Sequence, residues 1–207
     1  MKNVLDTLGR IPFGLGELAT LYPTIHDIKT KARQLEQTRQ IVRLKQGVYV
    51  LNPEMSGEPL ASFLVANHLN GPSYVSLLSA LRYYGLTPEG VYVVQSMTTK
   101  SNREYETPFG WFTYKHCDNR NFPIGIQTVQ DNGVSFLMAT PEKALCDLMA
   151  TSPHLQLRYQ KEIREYLEED IRFDTDALGQ FNISLLQDIA AVSTKPTAIR
   201  TLINYLR

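Results

Sequence analysis

The chain is poor in the residues that build disulfide frameworks and metal centres. Its 207 residues include two cysteines, Cys117 and Cys146, far apart and outside any Cys-x-x-Cys pair. That spacing offers neither a disulfide scaffold nor a zinc site, so reduced thiols are expected. The histidines, His26, His68, His116 and His154, are scattered without metal-ligand spacing. No apolar run approaches the about 18 residues a membrane helix needs. Asp6 and Arg10 interrupt any signal-peptide pattern at the start, and a cytoplasmic location is the expectation. There is no glycine-rich phosphate loop, internal repeat or low-complexity tract. No cofactor, no metal and no catalytic residue is expected.

The net charge is zero, but it is unevenly divided. Residues 1–52 carry eight Lys or Arg against four Asp or Glu, and the rest of the chain carries 13 against 17. A basic segment joined to an acidic one points to an anionic partner for the first. After Pro23, Thr24 with Asp27 three residues on predicts a helix start. Ile25, Ile28, Ala32 and Leu35 then fall on one face. His26, Thr30, Arg33 and Gln37 fall on the other, with Lys29 and Gln34 at its margins. Next, Ile41–Lys45 and Val48–Leu51 alternate like two strands around Gln46-Gly47. Upstream, Val4, Leu5 and Leu8 suggest a first helix ending near Gly9. Leu15–Tyr22, with apolar side chains at i, i+3, i+4 and i+7, suggests a second.

Three helices and a hairpin predict a winged helix-turn-helix over residues 1–52, its third helix in the major groove of double-stranded DNA. His26, Thr30, Arg33 and Gln34 are assigned to bases, and Lys29, Gln37, Arg43 and Lys45 to phosphates. The plain alternative is a solvated charged face.

Asn52–Pro59, with two prolines and a glycine, reads as a linker to a second domain over residues 60–207. Helices are expected at Leu60–Leu69 and at Ser73–Tyr84, the latter capped by Ser73. Strands are expected at Val91–Thr98, Glu104–Thr107, Trp111–Cys117, Ile126–Gln130 and Val134–Ala139, with a turn at Asp131-Asn132-Gly133. Thr140-Pro141-Glu142 opens another helix, and the remainder from Leu155 is helical in three or four pieces. The expected class is α+β: the winged module, then a mixed domain with a mostly antiparallel sheet and a helical C-terminal part.

Three ordered blocks, Arg43–Tyr49, Pro72–Glu89 and Ala139–Leu148, resemble the AbiEi-type antitoxins of type IV toxin–antitoxin systems, regulators of phage defence. The similarity runs from about the hairpin to Met149. It implies an N-terminal winged-helix repressor and a C-terminal antitoxin domain acting beside a nucleotidyltransferase-type toxin. Tyr74, Ser76, Ser79, Arg82 and Tyr83 can present hydroxyls and a guanidinium to such a partner. Equally, Tyr74, Leu77, Leu78 and Leu81 can pack. Glu142 and Lys143 are exposed contacts or simply the first turn of a helix.

Two further classes compete with this reading. One is a one-component regulator whose second domain senses a small ligand. The other is an enzyme, for which Cys146 lies between apolar neighbours, as an inert buried thiol does. Asp174-Thr175-Asp176 has the look of paired metal-binding carboxylates, but Asp174 also suits a helix cap. Glu165, Glu168, Glu169 and Asp170 form an acidic face, either solvated or open to a basic partner.

Overall fold

Residues 4–88 and 93–207 are described by a computed structural model, an α+β fold in which two apolar cores share a wall. The first core gathers the N-terminal elements. A 3-10 turn at Val4–Leu8 turns Leu5 inward, α1 spans Leu15–Leu21, and α2 spans Ile28–Gln37. The strands β1 (Ile41–Lys45) and β2 (Val48–Leu51) pair antiparallel, with Gly47 at φ +77 in the turn, a region that disfavours side chains with a Cβ. Leu5, Leu18, Ala32, Leu35, Ile41 and Tyr49 close this core.

The helix expected from Thr24 starts later. Asp27 is its cap: Oδ1 accepts the Thr30 N–H at 3.1 Å and Oδ2 accepts the Thr30 hydroxyl at 2.7 Å. A carboxylate answering two donors fixes the first turn there. Ile25, expected on the packing face, lies outside the helix and is exposed. The segment expected as a linker, Asn52–Pro59, contains a helical turn. Asn52 is buried, accepts the Glu54 N–H and donates to Arg39 O, capping a single turn, α3 (Pro53–Ser56), that Gly57 ends.

The second core lies on a six-stranded sheet. Its elements in chain order are α4 (Ser62–Leu69), β3 (Ser73–Val75), α5 (Leu77–Tyr83), β4 (Val93–Thr98), β5 (Arg103–Thr107), β6 (Gly110–His116), β7 (Ile126–Asp131) and β8 (Val134–Ala139). The spatial order is β5-β6-β4-β3-β8-β7. Neighbours are antiparallel except β4–β6 and β3–β8, so the sheet is mixed. Val91 and Tyr92 of the expected strand, like Glu89, lie outside the described residues.

The helix expected over Ser73–Tyr84 is corrected at its start. Ser73, Tyr74 and Val75 form β3, because a buried aromatic and a β-branched residue suit a central strand, and α5 follows. β3 is short, so beyond it Asn67 takes the place of a neighbouring strand. Its Oδ1 accepts Leu137 N–H at 2.6 Å and its Nδ2 donates to Leu137 O at 3.2 Å.

The remaining chain is helical: α6 (Pro141–Thr151), α7 (Gln160–Glu165), a π turn at Tyr166–Asp170, a 3-10 turn at Thr175–Gln180, α8 (Ile183–Val192) and α9 (Pro196–Tyr205). Thr140 caps α6 and Asp174 caps the 3-10 turn. No described helix is long and apolar enough to cross a membrane.

The hairpin is the shared wall. Tyr49 and Ile41 face the first core, while Leu44 and Val50 belong to the second. Arg10 fastens the other side, donating through Nε to Pro59 O at 3.1 Å and through Nη1 to Asn132 O at 2.7 Å.

Gly125 passes against α6 with φ +71, where an added Cβ would sit 2.9 Å from Lys143 Cβ. Gly125→Ala should therefore lower stability by about 1–3 kcal/mol. A urea midpoint equal to that of the parent would show that the backbone there relaxes freely.

Candidate nucleic-acid interface

The outward face of α2 is built by what packs beneath it. Ala32 and Leu35 are buried on the first core and Ile28 is half-buried, so Lys29, Thr30, Arg33, Gln34 and Gln37 project to solvent. Among the described residues no hydrogen bond or salt bridge engages the side chains of Lys29, Arg33 or Gln37. Gln34 accepts from Lys31 Nζ at 3.5 Å, and Lys31 lies over the Tyr22 ring at 4.7 Å. Thr30 spends its hydroxyl proton on Asp27. His26 is exposed but precedes the helix, so it belongs to the turn that leads in rather than to the helical face.

The two hairpin residues assigned to phosphates are otherwise engaged. Arg43 forms a bidentate pair with Glu36, Nε to Oε1 at 2.8 Å and Nη2 to Oε2 at 2.9 Å, and lies over Tyr49. It fastens the hairpin to α2 while leaving about half of its own side chain in solvent. Lys45 donates to Leu69 O and sits 5.1 Å from the Tyr105 ring centroid. It braces the hairpin against the sheet, and its ammonium is not free for DNA. The outer face of the hairpin packs on the second core through Val42, Leu44, Val48 and Val50, so only its edge and turn are open.

The second group of candidate residues lies mostly inside. Tyr74, Ser76, Ser79, Glu142 and Lys143 are buried, which corrects their assignment to a surface; Arg82 and Tyr83 are exposed. Four of the buried ones share a network or cap a neighbour. Asp147 Oδ2 accepts Tyr74 OH at 2.9 Å and Ser76 Oγ at 2.8 Å, while Asp147 Oδ1 lies 3.0 Å from Lys143 Nζ. Lys143 also donates to Asn121 O at 3.1 Å and to Asn121 Oδ1 at 2.7 Å. Glu142 accepts the Asn182 N–H at 2.9 Å. Ser79 bridges Val93 O and Gln95 N.

Burial pushes the Asp147 carboxyl upward, opposed by Lys143 and by the Ser76 and Tyr74 hydroxyls. Burial also raises the Cys117 thiol to about 11 and the Cys146 thiol further, so both are protonated packing groups. No group of three metal-ligating side chains occurs among the described residues.

Asp147 and Asn121 join the site as partners of Lys143 that the sequence reading does not include. The four-residue spacing of Lys143 and Asp147 within an apolar helix was the available signal. Nothing in the sequence pointed to Asn121, which reaches Lys143 from a loop. No protein-family model matches the chain, and no curated protein matches it closely enough to indicate a relationship.

Removing one member of the buried pair strands the other. Lys143→Met should cost about 3–5 kcal/mol in denaturant unfolding, and Lys143→Met with Asp147→Leu should recover most of it; equal loss in both would mean the charges are not coupled. The Asp27 carboxyl is held below the usual aspartate value, chiefly by the Thr30 hydroxyl and N–H. Its contribution is present above the ordinary aspartate pKa and is lost as pH falls through the depressed one. The Thr30 amide resonance should titrate with that low midpoint, and a midpoint at the ordinary value would argue against the cap.

Proposed function

We propose that residues 1–52 form a winged helix-turn-helix that binds double-stranded DNA, and that the chain is a transcriptional repressor acting on its own operon. The observation that carries this reading is the outward face of α2. There Lys29, Arg33 and Gln37 stand exposed above an apolar underside, with no hydrogen bond or salt bridge of their side chains among the described residues. Long donor-rich side chains on a protruding helix suit base edges and phosphates. With Lys45 committed to Leu69 O and Arg43 to Glu36, α2 supplies most of the contact and the hairpin contributes its turn and the exposed part of Arg43.

The antitoxin role is proposed on the three sequence blocks that resemble AbiEi-type proteins. Arg82 and Tyr83 are the members of the candidate surface open to a nucleotidyltransferase-type toxin or to whatever that toxin acts on. A second reading, a one-component regulator that senses a small ligand, is favoured by a polar cleft lined by Asp147 in the sheet domain.

Fluorescence anisotropy on the chain's own promoter tests the repressor reading. Arg33→Ala should weaken binding by about 1–3 kcal/mol if that guanidinium reads a guanine. Lys29→Ala should reduce the slope of log affinity against log salt by about one, whereas Lys45→Ala should leave that slope unchanged. Equal affinity for promoter and scrambled duplex, unaltered by Arg33→Ala, would overturn sequence-specific reading by α2.

A further inference from the structure

We propose that β7 is a docking edge for a second copy of this chain, the two β7 strands pairing antiparallel about a two-fold axis at Thr128. β7 closes one side of the sheet and pairs only with β8, and β5 closes the other. The two edges differ in kind. β5 carries Arg103, Glu104 and Glu106, and its Tyr105 lies under the Lys45 ammonium of the hairpin. Charge and cover are the devices by which sheets block further pairing at an edge. β7 reads Ile126-Gln127-Thr128-Val129-Gln130-Asp131, without proline, with one charge at its last position and in unbroken register with β8.

The backbone settles which groups this edge offers. Leu137 stands opposite Thr128, and its N–H and C=O turn away from β7 to the Asn67 amide. Leu137 and Thr128 are therefore a non-hydrogen-bonded pair, so Thr128 points its own N–H and C=O away from β8. Alternation along the strand gives Ile126 and Gln130 the same direction. Gly125, of the opposite parity, turns to the β8 side and accepts the Thr140 N–H at 2.8 Å. Ile126, Thr128 and Gln130 thus aim their backbone groups at the open side, where no described residue hydrogen-bonds them.

These groups match a second copy of themselves. A two-fold axis normal to the sheet keeps every side chain on its own face, so residues of like parity must oppose one another. With Thr128 opposite itself, Ile126 opposes the partner's Gln130, and all three outward residues are used, giving about six inter-chain hydrogen bonds. Charge fits this register: Asp131 meets the partner's Gly125 rather than a second carboxylate, and a Thr–Thr pair is favourable across strands. An edge of six residues is small beside the interface of a permanent dimer, so the association is reversible. It rests on the repressor reading only for its use, which is to set two α2 helices about one axis as an inverted repeat requires.

Sedimentation velocity on the full chain without DNA should show a concentration-dependent exchange between monomer and dimer. In hydrogen exchange the amides of Ile126, Thr128 and Gln130 should gain protection as concentration rises, while Gln127 and Val129, whose amides face β8, should not change. Thr128→Lys, at an exposed position, should keep Tm and raise the dimer dissociation constant several-fold; Glu104→Lys on β5 should leave that constant unchanged. Because position 128 faces itself, a mixture of Thr128→Lys and Thr128→Asp should associate more tightly than either variant alone. A chain that stays monomeric at every concentration, a dimer indifferent to Thr128→Lys, or a mixture no tighter than its components would overturn the proposal. A dimer that ignores the promoter would count against the DNA reading alone, and a monomer that binds single half-sites would count against the dimer alone.

Discussion

The fold turns on a hairpin that is apolar on both faces. A two-stranded ribbon with one wet face would leave the N-terminal helices tethered by a few residues. Here β1 and β2 close the small core with Ile41 and Tyr49 and enter the large one with Leu44 and Val50. Neither core is complete without the ribbon, so the orientation of α2 relative to the sheet follows from packing rather than from a linker. Arg10 and Lys45 reinforce this with charged donors on backbone carbonyls, bonds stronger than neutral ones. Together with Arg43 on Glu36, three cations of the N-terminal segment are thus used for architecture, and its remaining basic residues lie on and around the helix.

A second dependence ties the distant sequence blocks together. Tyr74 and Ser76 belong to the second block and Lys143 and Asp147 to the third, and they meet in one buried network. An ion pair at this depth stabilises little by itself, since desolvation offsets most of its attraction. The network ties Asp147 of α6 to Tyr74 of β3 and to Ser76 at the start of α5. The hydroxyl-rich block that looked suited to a partner surface is explained by this internal requirement.

Local chemistry was legible where a single element decides it. Both hairpin strands, the inward face of α2, the Thr140 cap and the Asp174 cap follow from spacing and capping residues alone. What failed depended on neighbours remote in sequence. Ser73–Val75 is a strand because β4 and β8 lie on either side of it, a fact no window around Tyr74 contains. Thr24 lost the cap to Asp27 because a carboxylate with two donors outcompetes a hydroxyl. Lys45 was assigned to phosphate because Leu69 O, its acceptor, lies on a different element. Burial of Glu142 and Lys143 needed Asn121 and Asn182, contributed by loops.

The sheet's connectivity also has a temporal side. Val75 on the short central strand has its parallel partner, Met138, far along the chain, and the closing contacts of α6 come later still. Assembly of the larger core must wait for a long loop to close, at an entropic cost that slows the search. Emerging from the ribosome, the first helices have only one side of their ribbon covered. Its other side, with Val42, Leu44, Val48 and Val50, is covered by residues that follow the hairpin in the chain.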